Sequence, residues 1–370
     1  MENTQVKELL RRYQEGHCTE AEKALLESWY FGYNEDDTTI ADSKLKIIAG
    51  QIFRKLPHRT SRKFNSVWLP AAAVTILFLT IFLHAVFNRK VPLPAKSTHE
   101  ILSGGNNATL TLANGRKIEL GKVASGSLPV QSAGYIIKIN NGRIVYQPGK
   151  GRDKDKFSEI NNITTPAGGT WEVHLSDGTK VWLNNSSSLT FFADFQDRAE
   201  RNVELSGEAY FEVAKDKAHP FMVKTGTQTV RVLGTHFNIN AFRDEDGIRT
   251  TLLEGRISVY LQGNRLQKQL VPGKQSLVTD NSIIVLDADT TRVTAWKEGY
   301  FRFNNDPIEK VMRELARWYN IEVSYKGNPP SERLSGKISR FKNIGQVLKV
   351  LEATQTVHFN VEGRRVTVMK

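Results

Sequence analysis

The sequence predicts a multidomain fold: a small all-α head, a single transmembrane helix, an all-β domain and a C-terminal α+β module. Three observations predict it. An uncharged apolar run occupies residues 67–87 of the 370. Alternating apolar residues around Asn-Gly and Asp-Gly pairs fill residues 98–295. Helical and strand periods then alternate over residues 296–370.

The run "VWLPAAAVTILFLTIFLHAVF" has 21 residues. As a helix at 1.5 Å per residue it would extend about 31 Å, one hydrocarbon core. Its only polar side chains, Thr75, Thr80 and His84, form no stripe of the kind a soluble helix carries. Pro70 falls in the first turn, where a missing N–H costs least, and Trp68 lies at an interfacial position. The run starts at residue 67 and "LHAVFNRK" offers no small-x-small site, so a permanent anchor is expected rather than a cleaved signal. Residues 54–66 carry five basic residues and no acid, against Arg89, Lys90 and Lys96 on the other flank. The bias places residues 1–66 in the cytoplasm and the part after the run outside, with residues 88–97 as a Pro-containing linker.

Residues 1–42 carry ten acids against four basic residues, and residues 43–66 carry seven basic residues and no acid. This reads as a folded acidic head on a basic stem at an anionic lipid surface. "VKELLRRYQEG" puts Leu9, Leu10 and Tyr13 on one helical face. Thr19 and Glu22 have capping-box spacing before a helix with Leu25, Leu26, Trp29 and Tyr30. So small a bundle barely buries a core alone, so these side chains either fill that core or complete an apolar face with a partner protein.

Beyond the linker the helical period disappears. "ATLTLANGRKIEL" alternates around Asn114-Gly115, and "TWEVHLSDGTKVWLN" around Asp177-Gly178. Such pairs between alternating apolar residues are the strongest short-range hairpin signal. Further strands follow through "NVELSG", "AYFEVA", "FMVKTG", "QTVRVLG", "HFNINAF", "RTTLLEG", "RISVYL", "QSLVTD" and "SIIVLD". From Trp296 the order becomes strand, helix, strand, strand, helix, strand, strand. Asp306 is the expected N-cap of the first of these helices, with Pro307 in its first position.

Catalytic and metal motifs are missing. The eight histidines are dispersed, Cys18 is the single cysteine, and no Walker or zinc spacing occurs, so no metal or cofactor is expected. "PGKGRDKDKF" reads as a solvated loop. The net charge of +12 is scattered through β-like sequence and points to no direct nucleic-acid partner. One bond has chemistry of its own: at Gly234–Thr235 the hydroxyl can attack the preceding carbonyl in an N→O acyl shift. A plain turn between strands is the alternative.

The stretches "ITTPAGGTWEVHLSDGTKVWLNNSSSLTF", "RNVELSGEAYFEVAKDKAHPFMVKTGTQTVRVLGTHFNINAF" and "TTLLEGRISV" resemble the periplasmic domain of FecR-type transmembrane anti-sigma factors. "WKEGYFRFNNDPIEKVMRELARWYNIEV" and "LSGKISRFKNIGQVLKVLEATQTVHFNVEG" are similar to the C-terminal module of the Bacteroidetes branch, itself similar to secretin/TonB N-terminal domains. "LLRRYQEGHCTEAEKALLESWY" is similar to the family's sigma-binding head. The resemblance implies a single-pass inner-membrane protein with a cytoplasmic head, an all-β periplasmic domain and a periplasmic C-terminus. The head would hold an extracytoplasmic-function (ECF) sigma factor through Leu9, Leu10, Tyr13, Leu25, Leu26, Trp29 and Tyr30. The periplasmic part would receive the signalling domain of a TonB-dependent transporter, and intramembrane or periplasmic proteases would release the head. Some members cleave themselves at the bond matching Gly234–Thr235; no other enzymatic activity is implied.

Two other classes stay open on the residues alone. One is an anchored periplasmic glycan hydrolase, which needs paired acids in a cleft. The other is an anchored carbohydrate-binding protein that stacks sugars on Trp171 and Trp182.

Overall fold

In the computed structural model the described residues are 101–370, apart from 124–125, 133–134, 141, 149–158, 197, 264–265 and 281. The expected head, transmembrane helix and linker lie outside the described residues, as does the loop 149–157.

Glycines close the hairpins that the sequence marks. Gly115 and Gly178 take φ of +82° and +86°, which a side chain resists. Around them Thr109–Thr111 pairs with Lys117–Glu119, and Gly169–His174 with Lys180–Leu183. Repeated strand pairing builds two mostly antiparallel sheets. In the first, Thr109–Thr111, Ile160–Thr165 and Ser187–Phe192 lead to the N-terminal half of the long strand Arg201–Glu212. Phe221–Thr225, Gln228–Val232, Ile257–Leu261 and Gln267–Leu270 continue it. In the second, Gly169–His174 and Lys180–Leu183 precede the C-terminal half of Arg201–Glu212. His236–Ala241, Ile248–Glu254, Lys274–Thr279 and the edge strand Ser282–Asp287 follow.

The sequence reads "NVELSG" and "AYFEVA" as two strands, but they are one. The strand passes from the first sheet to the second at Gly207, where φ is +86° and a Cβ would lie 2.4 Å from Ser187 Oγ. The inward residues of both sheets, among them Leu110, Ile163, Val173, Val181, Phe211, Phe221 and Phe237, form one buried core. Phe211 and Phe237 stack at 4.9 Å. Each such side chain contributes roughly 1.5–3 kcal/mol by leaving water.

Across the second sheet, Trp182, Tyr210, Asn238, Thr251 and Gln275 are successive register partners. Strand alternation puts them on the sheet's outer face. The C-terminal part packs over this face. There Tyr300–Pro307 pairs with Arg333–Ser339, and Glu322–Tyr325, Arg365–Met369 and His358–Glu362 make a three-stranded sheet. The helices Ile308–Tyr319 and Ile344–Glu352 bury Val311, Met312, Leu315, Val347 and Leu351 in a second core with Phe301, Phe303, Val366 and Val368. Asn343 and Gln346 form a capping box on the second of these helices. On the first, Pro307 is itself the N-cap, with ψ of 151°, and the helix starts at Ile308. Asp306 does not cap, because its carboxylate is engaged by Arg292 at 2.7 Å and Lys310 at 3.2 Å.

These observations correct the expected fold class. The described chain is mostly β-sheet with few helices, and includes no all-α domain. Among the described residues, no helix is long and apolar enough to cross a membrane. The physical reason is length and patterning. Ile308–Tyr319 has 12 residues with one apolar face, about 18 Å of helix where a bilayer core needs about 30 Å.

Candidate functional site

Two places in the described residues hold chemistry. The first is the turn between Gln228–Val232 and His236–Ala241. Gly234 has φ of +142°, and a Cβ there would lie 2.8 Å from the Lys215 Cα. Thr235 is buried, and its hydroxyl donates to the Arg256 carbonyl at 3.2 Å. Its own carbonyl accepts from Val213 N at 3.0 Å, and the Leu233 carbonyl accepts from Asp216 N at 2.9 Å. The neighbouring His236 ring lies 3.2 Å from Glu254 Oε2. The bond Gly234–Thr235 is thus clamped by backbone on both sides, while the Thr235 proton is turned toward a carbonyl, which cannot take it.

The second is a polar junction between the outer face of the second sheet and the C-terminal part. Glu208, next to the strand-switching Gly207, accepts from Asn184 Nδ2 at 2.7 Å and from Asn238 Nδ2 at 2.9 Å. Asn238 Oδ1 accepts from the Trp296 indole at 3.2 Å. Asn184 Oδ1 accepts from Arg340 Nη1 at 3.0 Å. The Arg340 guanidinium lies 4.6 Å from the Trp318 ring and 5.0 Å from that of Phe301. Nearby, Arg317 on the helix pairs with Asp244 at 2.6 Å and Glu245 at 3.0 Å.

Burial sets the electrostatics here. It raises the Glu208 carboxyl above the usual range, although both amide bonds favour the ionised form. It pushes Glu314, on the same helix as Arg317, up to about 7 despite Lys310 and Arg340. It pulls Arg340 down to about 10, so the guanidinium stays charged at neutral pH. A cavity of about 250 Å³ lies against these groups.

The structure places the sequence-derived candidates unevenly. Gly234 and Thr235 are adjacent in the first site. Leu9, Leu10, Tyr13, Leu25, Leu26, Trp29 and Tyr30 lie outside the described residues. Trp171 is in the sandwich core and 3% exposed, and the Trp182 ring carries the Lys297 ammonium at 4.3 Å. Sequence reasoning singled out none of Glu208, Asn184, Asn238 and Arg340. No local signal marks them: the unbroken burial of residues 207–211 emerges only in the folded strand.

Comparison with known proteins places these parts in a family. Residues 161–258 match the family described as FecR protein, and residues 300–368 match the one described as FecR, C-terminal. Two crystal structures of a candidate anti-sigma factor from Parabacteroides distasonis ATCC 8503 are similar, each at 29% identity and a TM-score of 0.52. They cover 57% and 56% of this chain, and 99% and 98% of their own. No curated protein matches the chain.

Proposed function

Since the chain is a FecR-type anti-sigma factor, we propose that its regulation of a sigma factor takes the following form. The partner is an ECF sigma factor, held by the N-terminal residues through Leu9, Leu10, Tyr13, Leu25, Leu26, Trp29 and Tyr30. The uncharged run 67–87 and its basic flank support attachment to the inner membrane, with the sigma-binding residues in the cytoplasm and the described residues in the periplasm. There they receive the signalling domain of a TonB-dependent transporter, and regulated proteolysis then releases the N-terminal part with its sigma factor. The chain acts on no exogenous substrate. The one bond proposed for self-cleavage is Gly234–Thr235.

The observation that carries the relay is the junction itself. The two family-matching stretches have separate cores, and Arg340, Asn184 and Glu208 couple them through buried polar contacts whose loss is costly. A partner that displaces the C-terminal part must therefore disturb the sheet behind it. A sigma-dependent reporter in the native host tests this. Deleting the chain shifts reporter output, and Arg340→Met alters the response to transporter ligand while sigma co-purification persists. Reporter output that is indifferent to both changes contradicts the proposal.

A further inference from the structure

The junction cavity has spare cations. Six basic side chains line it: Arg249, Arg292, Arg302, Lys310, Arg317 and Arg340. Three of them already sit in ion pairs, Arg292 and Lys310 sharing the single carboxylate of Asp306 and Arg317 lying between Asp244 and Glu245. Arg249, Arg302 and Arg340 have no acid within ion-pair distance among the described residues. Arg340 donates only to the neutral Asn184, is 4% exposed, and leaves its Nε–H without a partner.

The acids that line the cavity are mostly committed elsewhere. Glu245 holds Arg317, Asp287 holds Lys274 at 2.7 Å, and Asp289 caps the short helix Thr290–Thr294, with the charge of Arg302 acting on it from beyond ion-pair distance. Glu208 is bonded by two amides and raised by burial toward its neutral form. Glu314 is the remaining acid, and its carboxyl has no hydrogen-bond partner among the described residues. Side-chain amides of Asn240 and Gln275 complete the lining. The surplus is therefore in donors and positive charge, and it comes from both sides: Arg249 from the sheet, Arg302 and Arg340 from the C-terminal part.

We propose that this cavity is a binding site for a small oxyanion, a carboxylate or phosphate group, held between Arg249, Arg302 and Arg340. Guanidinium forks match the two or three oxygens of such groups. At about 250 Å³ the space is just below the roughly 300 Å³ at which small-molecule pockets begin, so the ligand is small. Bound there, it would bridge the two cored parts. Glu314 opposes it when ionised. The groups facing Glu314 are Lys310, Arg317, Arg340 and Glu208. Affinity for a ligand of fixed charge therefore falls as pH rises through about 7.

Thermal unfolding and calorimetric titration of the purified full-length chain test the site, with inorganic phosphate and succinate as probes and sodium chloride at matched ionic strength as control. The expected result is saturable binding and a raised Tm with at least one probe. Arg249→Met with Arg302→Met weakens that binding by at least about tenfold, the cost of losing charged hydrogen bonds. Both side chains are at least partly solvent-exposed, so the double variant is expected to fold. Phosphate alone, or succinate alone, identifies the source of the oxyanion. In Glu314→Gln the fall in succinate affinity with rising pH is lost; phosphate, which itself gains a charge near neutral pH, serves only to show binding. No response beyond chloride with either probe overturns the proposal, as does binding unchanged in the double variant. Neither result touches sigma-factor binding, so this site can fail while the regulatory reading stands.

Discussion

Arg340 Nη1 donates to Asn184 Oδ1 at 3.0 Å, across 156 residues of sequence. The contact joins the loop after Arg333–Ser339 to the end of Lys180–Leu183, and it is the charged end of a chain of bonds that runs on through Glu208 and Asn238 to Trp296. The guanidinium also fills the space between Trp318 and Phe301.

Removing it leaves an unfilled, desolvated space beside Glu208 and Glu314. Arg340→Ala is expected to destabilise the protein by about 3 kcal/mol, the scale for breaking a buried charged contact. Arg340→Lys restores little, because an ammonium neither stacks nor forks. Denaturant unfolding followed by tryptophan fluorescence measures both, and a loss for Arg340→Ala under about 0.5 kcal/mol would mean that the junction is not structural.

The pH dependence has a definite sign. Glu314 titrates at about 7 in the folded chain against an ordinary 4.5. Between those values the native state binds more protons than the unfolded one, so stability falls as pH rises through the window. Glu208 is shifted in the same direction and adds to the fall. Glu314→Gln is expected to flatten this slope and to be more stable than the parent at about pH 8. A slope unchanged in that variant would assign the effect to another group.

What the sequence made legible was local. Gly115 and Gly178 each turn a hairpin where Asn-Gly and Asp-Gly stand between alternating residues, because the turn chemistry and the period are both written within a dozen residues. The helix Ile308–Tyr319 announced itself through Ile308, Val311, Met312 and Leu315, but its start was misplaced by one residue, because Asp306 is recruited by Arg292. The strand Arg201–Glu212 was split in two at a glycine that instead bends it from sheet to sheet. The junction was invisible, since Asn184, Glu208, Asn238 and Arg340 meet only through tertiary packing and each, in its own segment, looks like a polar side chain facing water. The long apolar run led the expected fold class toward a membrane helix, which no described residue supplies.

Gly207 fixes that bend. A Cβ there would meet Ser187 Oγ at 2.4 Å and the Ser186 carbonyl at 2.8 Å, on a φ of +86°. Gly207→Ala is expected to cost about 2–4 kcal/mol, combining backbone strain with overpacking. Equilibrium unfolding checks it, and a neutral substitution would mean that the strand crosses elsewhere.

At Gly234–Thr235 the proposed acyl shift needs the Thr235 hydroxyl to leave the Arg256 carbonyl and replace the amide with an ester, which water then hydrolyses to a Gly234 carboxylate and a free Thr235 amine and hydroxyl. Electrophoresis of the full chain expressed in the native host is expected to resolve two fragments that meet at residue 235. Thr235→Ala is expected to leave one uncut chain, and Thr235→Ser to preserve the cut. Fragments that persist in Thr235→Ala would assign the cleavage to a protease. Gly234→Ala is a poor probe of chemistry here, because its Cβ meets the Lys215 backbone.

Co-purification decides whether this chain handles a sigma factor. The full-length protein, tagged and recovered from its native host, is expected to bring down one ECF sigma factor, and Trp29→Asp is expected to lose it while the chain still accumulates to the same level. A folded chain that retrieves no sigma factor, or a Trp29→Asp variant that retrieves as much as the parent, would contradict the proposed mode of regulation.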